Sequence, residues 1–263
     1  MVLERLCDLY FELSNEDRLK ILQRLGRGRM NVTTMARELG ITNQECSRHV
    51  SRLSEALLVE KDPEGLYSIS PYGELTLRQY RGQIFAAEHR DYFNRHTLAN
   101  VPDMFVSRLG ELSDSTYVDD VMVVFRNIER IFDEAEEYVW RVTDRYLMMV
   151  VPNAASACGR GVEIRLIEPR DIVYPPDIGE TDVFEKAWRE GLFRNRILER
   201  VDVFLAMSER EVASVAFPTL DGRFDYLGFT SKDERVHEWC RDLFERLWVS
   251  AEEKRDFGWL RAS

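Results

Sequence analysis

The sequence predicts a mixed chain, α+β in its N-terminal third and α/β beyond it. A small helical head is closed by a β-hairpin, a long connector helix follows, and a C-terminal α/β domain with a mixed sheet completes the chain. Three observations carry this. Apolar residues recur at helical spacing through residues 1–56. Two short β-type runs flank an Asp-Pro-Glu-Gly turn directly behind them. From Asn100 onward, helical patterns alternate with β-type runs. With 263 residues, 44% of them hydrophobic, there is enough apolar material for two cores.

In the head, Leu3, Leu6, Leu9 and Leu13 recur at helical spacing. Ser14 or Asn15 offers a cap oxygen to a second helix, with Glu16 and Asp17 in its first turn and Leu19, Ile21, Leu22 and Leu25 along it. Gly26 ends it. A short helix over 32–39 points Met35 and Leu39 inward. Gly40-Ile41-Thr42 makes a tight turn, and Thr42 caps a longer helix reaching about Ala56. On that helix Cys46, Val50, Leu53 and Leu57 form one stripe. Gln44, Ser47, Arg48, Ser51 and Arg52 face the other way, with Glu55 at the far end. Two helices joined by a short Gly-containing turn carry the helix-turn-helix signature.

An ordinary amphipathic helix also shows one polar face, so the next segment decides. Residues 57–61 and 66–69 read as strands around Asp62-Pro63-Glu64-Gly65, a type I turn with Pro second and Gly fourth. A hairpin directly behind such a helix is a wing, and the head reads as a winged helix-turn-helix spanning residues 1–70. Double-stranded DNA is the expected partner. Thr42 and Asn43 stand at the start of the second helix of the pair. Gln44, Ser47, Arg48 and Ser51 are placed to reach base edges, and Arg52 and the wing's Lys61 to meet phosphates.

Leu13-Ser14-Asn15-Glu16-Asp17-Arg18-Leu19-Lys20-Ile21-Leu22 resembles the opening of ArsR-like winged-helix regulators. Gln44-Glu45-Cys46-Ser47-Arg48-His49-Val50-Ser51-Arg52-Leu53 resembles the recognition helix of their archaeal members. The resemblance implies transcriptional regulation. The metal-sensing cysteine pairs of some ArsR proteins are absent, so it does not imply metal sensing.

The net charge of −11 looks wrong for a nucleic-acid binder until it is divided. Residues 1–98 hold 14 basic and 14 acidic side chains, and residues 99–263 hold 22 and 33, so the whole excess lies in the second part. DNA contact needs only a local basic face.

Ser70 and Pro71 open a connector helix expected over 71–98, carrying Tyr72, Leu75, Tyr80, Ile84 and Ala87. Its expected role is a homodimer strut, because two-fold operators call for paired heads. The alternative is a helix that packs on its own wing.

The remainder, 99–263, begins with a short helix over 102–112. A second helix is marked by Tyr117, Val121, Val124, Ile128, Ile131 and Ala135. A strand over 138–142, a helix to about 157 and a strand over 162–167 follow. Residues 168–195 read as a proline-containing loop with a short helix near 184–192. Strands are expected over 196–207, 212–217 and 223–229, with Leu220-Asp221-Gly222 in the last turn, and a helix over 232–253 closes the domain.

Over about 120–250 this part resembles the middle domain of the methanogenesis-regulatory-protein family. The resemblance rests on Gly161-Val162-Glu163-Ile164-Arg165, Leu198-Glu199-Arg200-Val201, Phe217-Pro218, Asp221-Gly222, Phe224-Asp225-Tyr226 and Trp239-Cys240-Arg241-Asp242-Leu243-Phe244 with Trp248. The domain also looks distantly like half of a phospholipase D fold. Those enzymes need His-x-Lys with an Asp four residues on. Here the residues two after each histidine are Ser51, Asp91, Leu98 and Trp239. No Gly-x-Ser-x-Gly, P-loop or His-Glu-x-x-His motif is present either, so the expectation is a domain without catalysis.

Two roles remain open for it. A degenerate α/β fold keeps a crevice at its strand ends, and Arg165, Arg200, Asp225 and Tyr226 lie near such ends, where they would suit a small anionic effector or else form structural pairs. Alternatively the acidic, aromatic-bearing surface around Trp239, Phe244, Trp248 and Trp259 contacts a signalling protein, or else these helical aromatics belong to the core. A third reading makes the head itself a protein-interaction adaptor that binds no DNA. No cofactor is expected. Cys7, Cys46, Cys158 and Cys240 form no Cys-x-x-Cys pair, and His49, His89, His96 and His237 show no metal-ligand spacing. No apolar run is long enough for a membrane span, and the N-terminus lacks a signal-peptide pattern, so a cytoplasmic protein is expected.

Overall fold

The computed structural model describes residues 2–174 and 180–254, which fall into two compact units, Met1–Gln83 and Ile84–Ser263. Trp259 and residues 175–179 of the expected loop lie outside the described residues.

The first unit holds α1 (Val2–Leu13), α2 (Glu16–Leu25), α3 (Val32–Leu39), α4 (Asn43–Glu55), the hairpin β1 (Val59–Lys61) and β2 (Tyr67–Ile69), and the first part of α5 (Pro71–Glu88). Local chemistry sets its helix starts. The Asn15 side chain accepts from the Arg18 amide, and Asn31 accepts from the Thr34 amide. Thr42 and Glu45 form a reciprocal capping box. Gly40 takes φ 70° to end α3. The core is built from Leu13, Ile21, Leu22, Leu25, Met35, Cys46, Val50, Leu53 and Leu58.

The helix expected from Leu3, Leu6, Leu9 and Leu13 forms as α1, and two other expectations are corrected here. Leu3 and Leu6 of α1 are exposed, and only Leu13 of that helix is buried. Leu57 does not continue the buried stripe of α4. It is 70% exposed at φ 61°, in the left-handed position of a Schellman turn. The Leu58 amide donates to the Leu53 carbonyl at 2.9 Å, the Leu57 amide to Ser54 at 2.9 Å, and Leu58 takes the buried place instead. The connector is not one helix to residue 98. α5 ends at Glu88, and α6 (Arg90–Phe93) follows. Nor does it stand apart, since Leu77 and Tyr80 pack in the first core while Phe85 and Tyr92 are buried in the second. Tyr72, Leu75 and Ala87 of its apolar series are exposed.

α5 meets the hairpin closely. Ser70 Oγ donates to the Leu57 carbonyl at 2.6 Å and accepts from the Gly73 amide at 2.9 Å. A Cβ on Gly73 would lie 2.0 Å from the Leu58 carbonyl oxygen, so glycine is required there by space.

The second unit is an α/β domain around an eight-stranded mixed sheet, ordered β10-β6-β5-β4-β7-β8-β9-β3. The strands are β3 (Thr116–Val118), β4 (Tyr138–Val142), β5 (Glu163–Pro169), β6 (Phe193–Leu198), β7 (Phe204–Ser208), β8 (Val212–Ala216), β9 (Gly228–Ser231) and β10 (Glu252–Glu253). β4, β5 and β6 run parallel, and the other pairings are antiparallel. The helices are α7 (Asp103–Val106), α8 (Val121–Glu134), α9 (Val151–Gly159), α10 (Thr181–Arg189) and α11 (Glu234–Ser250).

Several boundaries move. Tyr117 belongs to the edge strand β3, which pairs with β9 more than a hundred residues on, and not to α8. The expected strand over 196–207 is two strands, broken where Arg200 pairs with Asp202 at 2.6 Å in a turn. The expected strand over 223–229 shrinks to Gly228–Ser231 because Tyr226 adopts φ 64° and Asp225 is held by His96. The closing helix stops at Ser250, where Ala251 turns extended and leads into β10. Among the described residues no helix is long and apolar enough to cross a membrane.

Candidate nucleic-acid interface

Burial divides α4 cleanly. Cys46, His49, Val50 and Leu53 face the core, while Asn43, Gln44, Ser47, Arg48 and Ser51 are exposed. His49 widens the buried stripe beyond what its residue type announced. Its Nε2 lies 3.8 Å from Asp17, its Nδ1 has no hydrogen-bond partner among the described residues, and burial pushes its pKa down. Arg48 makes no ion pair among the described residues. Ser51 Oγ donates to Glu55 at 3.3 Å. The Thr42 hydroxyl is spent on the cap, where it donates to Glu45 Oε2 at 2.8 Å and accepts from the Glu45 amide.

Arg52 is placed differently from the expectation of a phosphate contact. Its Nε and Nη2 grip the Glu12 carboxylate of α1 at 2.9 and 2.5 Å, and its guanidinium lies 5.5 Å from the Phe11 ring centroid. Arg18 Nε adds a contact to the same carboxylate at 3.3 Å. These bonds hold the Glu12 carboxyl below the usual carboxylate range. Arg52 therefore ties α4 to α1.

The wing is fixed by its turn. Asp62 Oδ1 accepts from the amides of Glu64 and Leu66, and Gly65 takes φ 88°. Met30 exchanges backbone hydrogen bonds with Tyr67 at 3.1 and 2.9 Å, adding a third segment at the base of the hairpin. Lys61 is exposed over the Tyr67 ring at 5.3 Å. Arg29, next to Met30, lies 3.6 Å from Asp62 on the same hairpin. It was missed by reading the wing as two strands alone. Arg37 on α3 is exposed, and it too was missed. The only sequence signal for either was its charge beside the helix pair.

The four effector candidates do not converge. Arg165 pairs with Glu163 at 2.7 Å and stacks on Trp140 and Trp248 at 4.9 and 5.5 Å. Arg200 is bound to Asp202. Both Asp225 oxygens lie 3.1 Å from His96 Nε2. The Tyr226 hydroxyl donates to Asp144 at 2.8 Å. All four are committed to structural partners. Of the aromatic group, Trp239 and Phe244 are core residues, fully buried, and the Trp239 indole donates to the Phe105 carbonyl at 3.2 Å. Among the described residues no three His, Cys, Asp or Glu side chains are grouped to hold a metal ion.

Residues 13–62 match the family described as a helix-turn-helix domain. No curated protein matches the chain. Among solved structures, TrmBL2, described as an archaeal chromatin protein whose structure shows a novel mode of DNA binding, is 15% identical with a TM-score of 0.44, covering 91% of this chain and 94% of that one. The phospholipase D family member Nuc from Salmonella typhimurium is 8% identical with a TM-score of 0.37, covering 49% of this chain and 89% of its own. The methyltransferase RosA from Streptomyces davawensis is 13% identical with a TM-score of 0.28, covering 75% and 65%.

Proposed function

We propose that this chain is a DNA-binding transcriptional regulator of ArsR-like type, and that its C-terminal unit modulates DNA affinity without doing chemistry. One observation carries the reading. Within the segment that matches a helix-turn-helix domain, α4 turns Gln44, Ser47, Arg48 and Ser51 outward, while its opposite face closes the core. Gln and Arg side chains on an exposed second helix suit bidentate base contacts in a major groove. Lys61 and Arg29 on the wing, and Arg37 on α3, supply phosphate contacts. The acid excess lies in residues 99–263 and leaves residues 1–98 neutral overall.

The active form in this reading is a cytoplasmic homodimer. Val2, Leu3, Leu6 and Phe11 of α1, and Tyr72 and Leu75 of α5, are exposed large apolar residues in one small unit, and pairing two copies would cover them.

The test is fluorescence anisotropy of the full chain on its own promoter and on random DNA over a salt series. The expected result is tighter promoter binding that falls steeply with salt. Arg48→Ala should lose about 1–3 kcal/mol on the promoter and much less on random DNA if Arg48 reads a base. Absence of binding to either DNA at low salt overturns the reading in favour of a protein-contact head.

A further inference from the structure

Side-on bidentate grip of a carboxylate is a recurring use of arginine in this chain. Nε and Nη2 of Arg52 hold Glu12, those of Arg108 hold Glu111 at 2.9 and 2.8 Å, and those of Arg130 hold Glu211 at 3.1 and 3.0 Å. Arg141, on β4 in the middle of the sheet, differs. It is only 6% exposed, and the same two nitrogens, Nε and Nη2, are buried with no hydrogen-bond partner among the described residues. A buried cation with an empty fork is costly unless something supplies the missing anion.

Among the described residues no carboxylate is hydrogen-bonded to that fork. Arg141 pairs across the sheet with Leu166, and its guanidinium lies 5.9 Å from the Phe132 ring centroid. Asp144 accepts instead from the Tyr226 hydroxyl and pairs with Arg145. Burial lowers the Arg141 pKa to about 10, which still leaves the group charged at neutral pH. Arg141 lines a cavity of about 40 Å³ between the parallel strands and helices α8, α9 and α10. Phe132, Val151, Ile164, Phe184 and Phe193 form apolar walls, and the exposed Arg145 stands among the lining residues. That volume admits about three water-sized groups.

We propose that this cavity binds a short-chain monocarboxylate, with its carboxylate on the side-on fork of Arg141 and its alkyl end against the apolar walls. The chemistry selects this class. Arg145 is already paired with Asp144, so Arg141 alone is left to balance one negative charge, and a dianion would leave a charge uncompensated against apolar walls. The fork geometry matches two oxygens on one carbon. A bare halide would leave the apolar walls unfilled. The site shares no residue with the four candidates Arg165, Arg200, Asp225 and Tyr226. The assignment rests on the reading of this domain as an effector module, and the experiment separates the two.

Thermal unfolding of the full chain, followed by tryptophan fluorescence, should be run in sodium propionate and in sodium chloride at equal ionic strength. Propionate at ten times its Kd should raise Tm by about 3–5 °C over chloride. Arg141→Met should abolish that difference while leaving the ligand-free Tm no lower than in the wild-type chain, because an unpaired buried charge is replaced by an apolar side chain. Ala154→Leu, which narrows the cavity and keeps the arginine, should abolish it too and serves where Arg141→Met does not fold. Equal Tm in the two salts, or a propionate shift that survives Arg141→Met, overturns the site. A propionate shift that leaves promoter affinity unchanged keeps the site and overturns the effector reading.

Discussion

Replacing Glu12 by glutamine should loosen the hold of α1 on α4. The lost carboxylate accepts from Arg52 at 2.9 and 2.5 Å and has Arg18 Nε 3.3 Å from Oε2, the oxygen that accepts from Arg52 Nε. The Glu12 side chain is 14% exposed and that of Arg52 42%. A charge-assisted hydrogen bond contributes about 1.5–3 kcal/mol when well shielded. With Arg52 two-fifths in water, screening reduces this, and a coupling of about 1–2 kcal/mol is expected from a double-mutant cycle of Glu12→Gln with Arg52→Gln. All five tryptophans fall in residues 84–263, so their fluorescence does not follow the first unit. Far-ultraviolet ellipticity in urea does, because that unit is largely helical. The pH dependence has a fixed sign. Glu12 has a lowered pKa in the folded chain, so its contribution is complete above the unfolded carboxyl value of about 4.3 and is lost as pH falls through the folded value. A coupling below about 0.3 kcal/mol, together with an Arg52→Gln loss of about one unit of salt slope in DNA binding, would refute the structural role and return Arg52 to the phosphates.

Gly73→Ala should cost about 3 kcal/mol or more in the same urea titration, because its Cβ would meet the Leu58 carbonyl oxygen at 2.0 Å and backbone cannot yield cheaply. Leu57→Gly should do the reverse, stabilising the head by about 0.5–1 kcal/mol. The left-handed φ of 61° strains a leucine by more than glycine loses in chain entropy. Burial lowers the His49 pKa, so neutral His49 stabilises the fold above the unfolded value of about 6.5, and that contribution is lost as pH falls through the folded value. His49→Gln should flatten this acid limb of stability in a urea series at stepped pH.

The sequence by itself determined what depends on near neighbours in the chain. Helix starts behind Asn15 and Thr42 follow from side-chain oxygens three residues from the amides they cap. The wing turn follows from Asp62 and Gly65, and the stripe of α8 from Val124, Ile128 and Ile131, all of them buried as the spacing required. The outward set on α4 was legible for the same reason, since 3.6-residue periodicity sorts one helix into two faces without outside help.

Only the tertiary structure decided what depends on residues far apart in sequence. Arg52 has the same local setting as Arg48, yet Glu12, forty residues away, claims it. Leu57 and Leu58 are the same residue type, and only the closing turn against the wing decides which one is buried. α5 carries apolar residues on several sides, so its packing face was settled by the hairpin and by the second core rather than by its own pattern. Strand order in the sheet, and the burial of Arg141 beside an apolar cavity with no carboxylate in its fork among the described residues, come from pairings between segments tens of residues apart. Periodicity and cap chemistry are local and can be read along a chain. Charge pairing and burial are properties of surroundings, which exist only once the chain has folded.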